Sequence, residues 1–181
     1  MNLPTLITLS RIVLAVVFLV SALRGDWQRA CWLFAAAAAT DMLDGALARL
    51  LKQKTRLGSF LDPAADKLLM FFGFVSLTGQ GWLPVWLTTL VILRDLMISG
   101  GVFYFLFRGT FFNVRPTLIS KGTTFLQIAT LGYALLAAGP GIRPAFGEWV
   151  RALAALFTVV SGCQYFRMGL RILKGSYAEK G

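Results

Sequence analysis

Charge is almost absent from long stretches of this chain, and that limits what it can fold into. Residues 68–93, 122–142 and 152–166 contain no Asp, Glu, Lys or Arg, and the first 23 residues hold one charge, Arg11. A helix needs roughly 20 apolar residues to cross the hydrocarbon core of a bilayer, and these runs reach or approach that length. With 57% hydrophobic residues and a mean hydropathy of +0.70, the sequence does not read as a water-soluble domain. In hydrocarbon each segment must satisfy its own backbone polar groups, and no sustained alternation of the kind a barrel needs is present. The expected fold is therefore all-α: an integral membrane protein forming one domain over 1–181. Six transmembrane helices are expected at about 4–24, 29–52, 58–78, 83–108, 117–139 and 145–173.

Gly79-Gln80-Gly81 with Pro84, and Gly139-Pro140-Gly141, punctuate the apolar runs as turns. The N-terminus has no basic leader, and its apolar stretch runs almost directly into the next, so it reads as a retained helix rather than a cleaved signal. No internal repeat or low-complexity tract appears. Six spans put the termini and loops 2–3 and 4–5 on one side. That side holds eleven basic residues (Arg49, Lys52, Lys54, Arg56, Arg108, Arg115, Lys121, Arg167, Arg171, Lys174 and Lys180), against Arg24, Arg29, Arg143 and Arg151 on the other. The excess predicts that the N- and C-termini lie in the cytoplasm. These charges flank apolar spans rather than lining a groove, which argues against nucleic acid as a partner. Cys31 and Cys163 have no pairing or metal-ligand spacing and read as packing residues, while the Trp and Phe side chains read as lipid-facing or interfacial.

Against this background one cluster stands out. Asp41, Asp44, Asp62 and Asp66 are half of the chain's eight acids, within 26 residues. Pairs three and four apart share a helix face, so two facing helices would gather four carboxylates around one point. Carboxylates are costly at membrane depth, and an oxygen-only donor set suits Mg2+, Mn2+ or Ca2+. Gly45, Ala48 and Gly58 are small and permit close approach of a helix or ligand. The chain has no His, so proton abstraction would fall to Asp, Glu, Lys or Tyr. Among crowded carboxylates, the one least engaged with metal is the best base, because like charge raises its affinity for a proton.

The run Asp41-x2-Asp44-Gly45-x2-Ala48-Arg49-x8-Gly58-x3-Asp62-x3-Asp66 resembles, without a gap, the signature of the CDP-alcohol phosphatidyltransferase family. Asn2-Leu3-Pro4-x3-Thr8-x2-Arg11 is also similar to the start of bacterial members, with Thr5 where a second Asn is common. The resemblance implies a six-helix membrane homodimer that displaces CMP from a CDP-linked lipid with an acceptor hydroxyl, using a pair of divalent cations, Mg2+ or Mn2+. It implies Asp41, Asp44, Asp62 and Asp66 as metal ligands and Asp66 as general base. Gly45, Ala48, Arg49 and Gly58 would shape the CDP site. Paired cations on a diphosphate and a carboxylate base on a hydroxyl are physically apt for this chemistry.

The acceptor is read from a second stretch. Arg94-Asp95 and Arg115-Pro116-Thr117-Leu118-Ile119-Ser120-Lys121 resemble cardiolipin synthases of the family, which use CDP-diacylglycerol and phosphatidylglycerol. Phosphatidylglycerophosphate synthases commonly carry Gly-Lys-x-Lys-Thr here; Lys121 keeps the first Lys, and Thr123 stands at the second. Losing a cation disfavours a phosphate monoester such as glycerol 3-phosphate. Lys121, Arg94 and Arg115 are thus the candidate acceptor-binding residues. Arg94 reads equally as an ion-pair partner of Asp95 inside the bundle, and Lys121 as an interfacial anchor. Two other classes compete: a cation-conducting membrane protein, and a non-catalytic scaffold. The acids crowd one interface rather than tracing a path, and none of the four is lost, so an enzyme is expected.

Overall fold

Caps and glycines set the helix boundaries. The computed structural model describes residues 3–51, 56–107, 117–142 and 147–178, with side chains described over 10–40, 67–101, 103–104, 117–142 and 147–172. Among these residues there are six helices and no strand: α1 (Leu3–Leu23), α2 (Trp27–Leu51), α3 (Arg56–Gly79), α4 (Val85–Phe107), α5 (Leu118–Ala138) and α6 (Gly147–Ala178). After α1, the Gly25 N–H bonds the Ala22 carbonyl and the Asp26 N–H bonds that of Ser21; after α3, Gly81 and Trp82 bond Thr78 and Leu77 in the same pattern. Both glycines have φ near +75° (75° and 78°), which an L side chain rarely adopts, so the helices stop there. Asp26 then caps α2, its Oδ1 accepting the Arg29 N–H at 3.1 Å. Thr117 caps α5 through the Ser120 N–H, also at 3.1 Å. Each cap satisfies an N–H that the first helical turn leaves open.

The chain divides into two units. The first comprises residues 1–84 and 131–144, so it holds α1, α2, α3 and the end of α5. Here α1 packs against both α2 and α3. Ala15 and Ala22 on α1, and Ala30 and Ala37 on α2, are buried in pairs seven residues apart. Such small residues let helix backbones approach closely. Phe18 and Phe34 fill the space between, with ring centroids 6.3 Å apart. The expectation that aromatic residues face lipid fails for Phe18, Phe34, Phe74 and Trp27, which are core residues of this unit. It agrees with the exposure of Trp32, Trp86, Phe125 and Trp149.

The second unit comprises residues 85–130 and 145–181: α4, the first three turns of α5, and α6. α4 packs against α6. Each helix buries a stripe spaced i, i+4, i+7: Leu87, Val91 and Arg94 on α4; Thr123, Gln127 and Thr130 on α5; Ala154, Thr158 and Ser161 on α6. That spacing lines one helix face, and on α5 the stripe is entirely polar. The hydroxyls find acceptors within their own helix, from Thr123 to the Ile119 carbonyl (2.8 Å), Thr130 to Leu126 (2.7 Å) and Thr158 to Ala154 (2.6 Å). Gln127 Nε2 donates across to Thr158 Oγ1 at 3.3 Å. Large apolar side chains lie outside: Leu118 is 84% exposed, Trp149 73% and Phe125 70%.

Among the described residues one segment, Gly147–Ile172, is long and apolar enough by itself to cross a membrane; Ser10–Leu23 and Lys67–Gly79 are shorter apolar helices.

Candidate active site

The acidic signature falls on two consecutive helices. Asp41, Asp44, Gly45, Ala48 and Arg49 are positions of α2, and Gly58, Asp62 and Asp66 are positions of α3. Helical backbone at 41 and 44, and at 62 and 66, is what the spacing argument requires. The side chains of these eight residues, and hence the expected convergence of the four carboxylates, lie outside the described residues, as does Arg115 altogether. The donor set is four carboxylates with no His in the chain, which matches a hard divalent cation by chemistry.

The first unit adds a residue that belongs to the N-terminal motif but was given no role there. Arg11, on the helix that packs against both acid-bearing helices, is only 4% exposed. A guanidinium at that depth needs anionic or polar company. The available signal was its position as the lone charge in the first apolar stretch.

The residues assigned to the acceptor occupy the second unit. Arg94 on α4 is 7% exposed, and its two terminal nitrogens are engaged. Nη1 donates to Asp95 Oδ1 at 2.8 Å, and Nη2 donates to Ser120 Oγ at 2.7 Å and Ser161 Oγ at 2.9 Å. Neighbours in a helix point about 100° apart, so the Arg94 stem must bend back to meet Asp95. The guanidinium therefore ties together α4, α5 and α6. Its stem also lines an open, mainly apolar groove of about 330 Å³ between α4 and α6, with Leu90, Met97, Gly162 and Phe166. Of the two readings for Arg94-Asp95, the ion pair is present.

Lys121 follows Ser120 in the first turn of α5 and is exposed. Among the described residues its ammonium has no partner. Gly122 lies against Phe157, where an added Cβ would stand 3.3 Å from the ring. Thr123 is fully buried, and its hydroxyl proton is shared between the carbonyls of Ile119 (2.8 Å) and Phe157 (3.1 Å). The position expected to mark a lost phosphate-binding cation is thus inside the contact of α5 with α6, not on an open surface. Cys31 and Cys163 are free thiols; Cys163 is exposed, so packing does not account for it.

A fold of six helices with this spacing of acids on the second and third defines a class, and comparison with known proteins gives its name. Residues 1–160 match the family described as CDP-alcohol phosphatidyltransferase. The chain belongs to the CDP-alcohol phosphatidyltransferase family. It is 35% identical to the cardiolipin synthase (CMP-forming) of Rattus norvegicus over 96% of this chain and 64% of that protein. It is 33% identical to the CDP-diacylglycerol–glycerol-3-phosphate 3-phosphatidyltransferase of Bacillus subtilis (strain 168), over 97% of this chain and 98% of the relative. The protein of the same name from Escherichia coli (strain K12) is 35% identical, over 91% and 92%. The chain therefore spans just under two thirds of the rat cardiolipin synthase, but nearly the full length of the two bacterial relatives.

Proposed function

We propose that this protein is a metal-dependent phosphatidyltransferase of the bacterial inner membrane that moves the phosphatidyl group of CDP-diacylglycerol onto phosphatidylglycerol, releasing CMP and forming cardiolipin. The observation that carries the reading is the complete acidic signature on α2 and α3 of a chain in this family. Membrane residence is supported by the polarity of the second unit, where Thr123, Gln127, Thr130 and Ser161 are buried while Leu118, Phe125 and Trp149 face outward. In water that arrangement would expose large apolar patches; in hydrocarbon it hides the groups that need hydrogen bonds. Six spans with cytoplasmic termini, and a homodimer, complete the reading.

Asp41, Asp44, Asp62 and Asp66 would hold the Mg2+ or Mn2+ ions, whose charge would offset that of the diphosphate and of departing CMP. Gly45, Ala48 and Gly58 leave room for the nucleotide, and Arg49 adds a cation beside it. Asp66 accepts the proton of the acceptor hydroxyl. The hydroxyl oxygen bonds to the phosphatidyl phosphorus as that phosphorus releases the bridging oxygen, which leaves with CMP. Lys121 and Arg115 attract the anionic acceptor.

The near full-length match to two glycerol-3-phosphate phosphatidyltransferases supports a second reading, in which glycerol 3-phosphate is the acceptor. One assay separates the two. Purified protein in detergent, with CDP-diacylglycerol and Mg2+ or Mn2+, is offered each acceptor in turn. CMP release is followed and the lipid product identified by mass spectrometry. Cardiolipin from phosphatidylglycerol alone is expected. Phosphatidylglycerophosphate from glycerol 3-phosphate alone would replace the first reading with the second. No CMP release with either acceptor would refute both.

A further inference from the structure

We infer that Arg94 is a positioning residue that fixes the first turn of α5 and so aims Lys121, rather than a group that touches the acceptor; this rests on the acceptor role proposed for Lys121. Three observations lead there. First, Arg94 is 7% exposed and both terminal nitrogens are bonded within the protein, Nη2 using both of its protons on Ser120 and Ser161, while the unpartnered Nε is buried away from the surface. Second, the bond to Ser120 acts on the residue next to Lys121, inside a turn held from two further directions. Thr117 Oγ1 accepts the Ser120 N–H and donates to Gln164 Oε1 of α6 at 3.4 Å, and Gly122 is pressed on Phe157. Third, Lys121 is the exposed cation of that turn and has no partner among the described residues. A long, free side chain on a clamped base samples a smaller volume than one on a fraying helix end, and orientation of this kind shows in substrate affinity. Arg94 also supplies the charge that keeps Asp95 paired, so the clamp adds no net charge to the interior.

The test is a double-mutant cycle in the CMP-release assay, with the Michaelis constants of acceptor and CDP-diacylglycerol measured separately and thermal unfolding recorded for each variant. Ser120→Ala removes the α5 arm of the clamp but leaves Arg94 paired with Asp95 and Ser161. It is expected to raise the acceptor KM by about three- to tenfold, leaving the KM for CDP-diacylglycerol unchanged, and to lose that effect in a Lys121→Ala background. Ser161→Ala, which cuts the same Nη2 from α6 only, is expected to raise the acceptor KM less. Arg94→Lys should retain more acceptor affinity than Arg94→Gln. If either Arg94 variant fails to fold, the serine cycle decides alone. An equal KM penalty for Ser120→Ala with and without Lys121, or an equal rise for both substrates, would overturn the inference. Failure of the unmodified protein to release CMP with any acceptor would instead refute the proposed function, and the inference with it.

Discussion

Gly139 offers the sharpest energetic test of the first unit. A Cβ built there would stand 2.8 Å from the Trp27 carbonyl oxygen, 3.0 Å from its carbon and 3.1 Å from the Gln28 Cα. All three neighbours are backbone atoms at the start of α2, where the Asp26 cap fixes the turn, so no side chain can swing aside. Ordinary van der Waals contact begins at 3.4 Å, so the end of α5 and the start of α2 would have to part by about 0.6 Å. Overpacking of this kind costs about 1–3 kcal/mol. Gly132 lies inside α5, seven residues before Gly139 and in the same unit, and a Cβ there meets nothing within 4 Å. Gly132→Ala should therefore stabilise by roughly 0.5–1 kcal/mol through helix propensity. Gly139→Ala should be less stable than Gly132→Ala by about 1.5–4 kcal/mol, roughly 10- to 700-fold in the folding equilibrium. Reversible unfolding of both variants in mixed micelles, followed by circular dichroism, measures the gap. Equal stabilities would refute the close approach of α5 and α2.

Three further outcomes bear on the site. Asp66→Asn is expected to keep CDP-diacylglycerol binding, measured by equilibrium binding, while abolishing CMP release; unimpaired turnover would remove Asp66 as the base. Chelation of divalent ions should abolish turnover, and Mg2+ or Mn2+ should restore it; activity that persists in excess chelator would exclude a metal role for the four Asp. Thr123→Lys is the substitution that sequence reasoning alone would choose to favour glycerol 3-phosphate. Because Thr123 is fully buried against the Phe157 carbonyl, it is expected to cost several kcal/mol through an enclosed ammonium, and Thr123→Val about 1 kcal/mol. A Thr123→Lys protein that unfolds like the unmodified one and gains glycerol 3-phosphate turnover would contradict that burial.

Helix number and boundaries were readable because glycine and proline mark them. The stretches expected at 58–78 and 117–139 are α3 at 56–79 and α5 at 118–138. The largest departure is α6, which continues to Ala178 rather than stopping near 173. Arg171 and Lys174 signalled the end of a membrane span, but they are good helix formers and give the backbone no reason to stop. The pairing of Arg94 with Asp95 was legible from adjacency. Its bonds to Ser120 and Ser161, 26 and 67 residues away, were not, because single serines on apolar helices carry no periodic signal. The burial of Thr123 against α6 was hidden for a related reason: a motif position tells which residue is present, not which neighbour its side chain meets. The four Asp stood out by spacing, and the helical backbone at 41 and 44 and at 62 and 66 agrees with it, while their roles rest on the family resemblance.

The hydroxyls of Thr123, Thr130 and Thr158 each donate to a carbonyl four residues back in their own helix. In the proposed membrane setting, such helices would carry no open hydroxyl donor from these residues into the bilayer. Among the described residues, the long-range contacts left for assembly include Arg94 with Ser120 and Ser161, Gln127 with Thr158, Thr123 with Phe157, and Thr117 with Gln164. If the protein resides in a membrane as proposed, the second unit would be built by insertion first and docking second. A mutation on that short set would leave a fully inserted protein whose helices fail to lock, a defect visible to a protease or thiol probe but not to a topology assay.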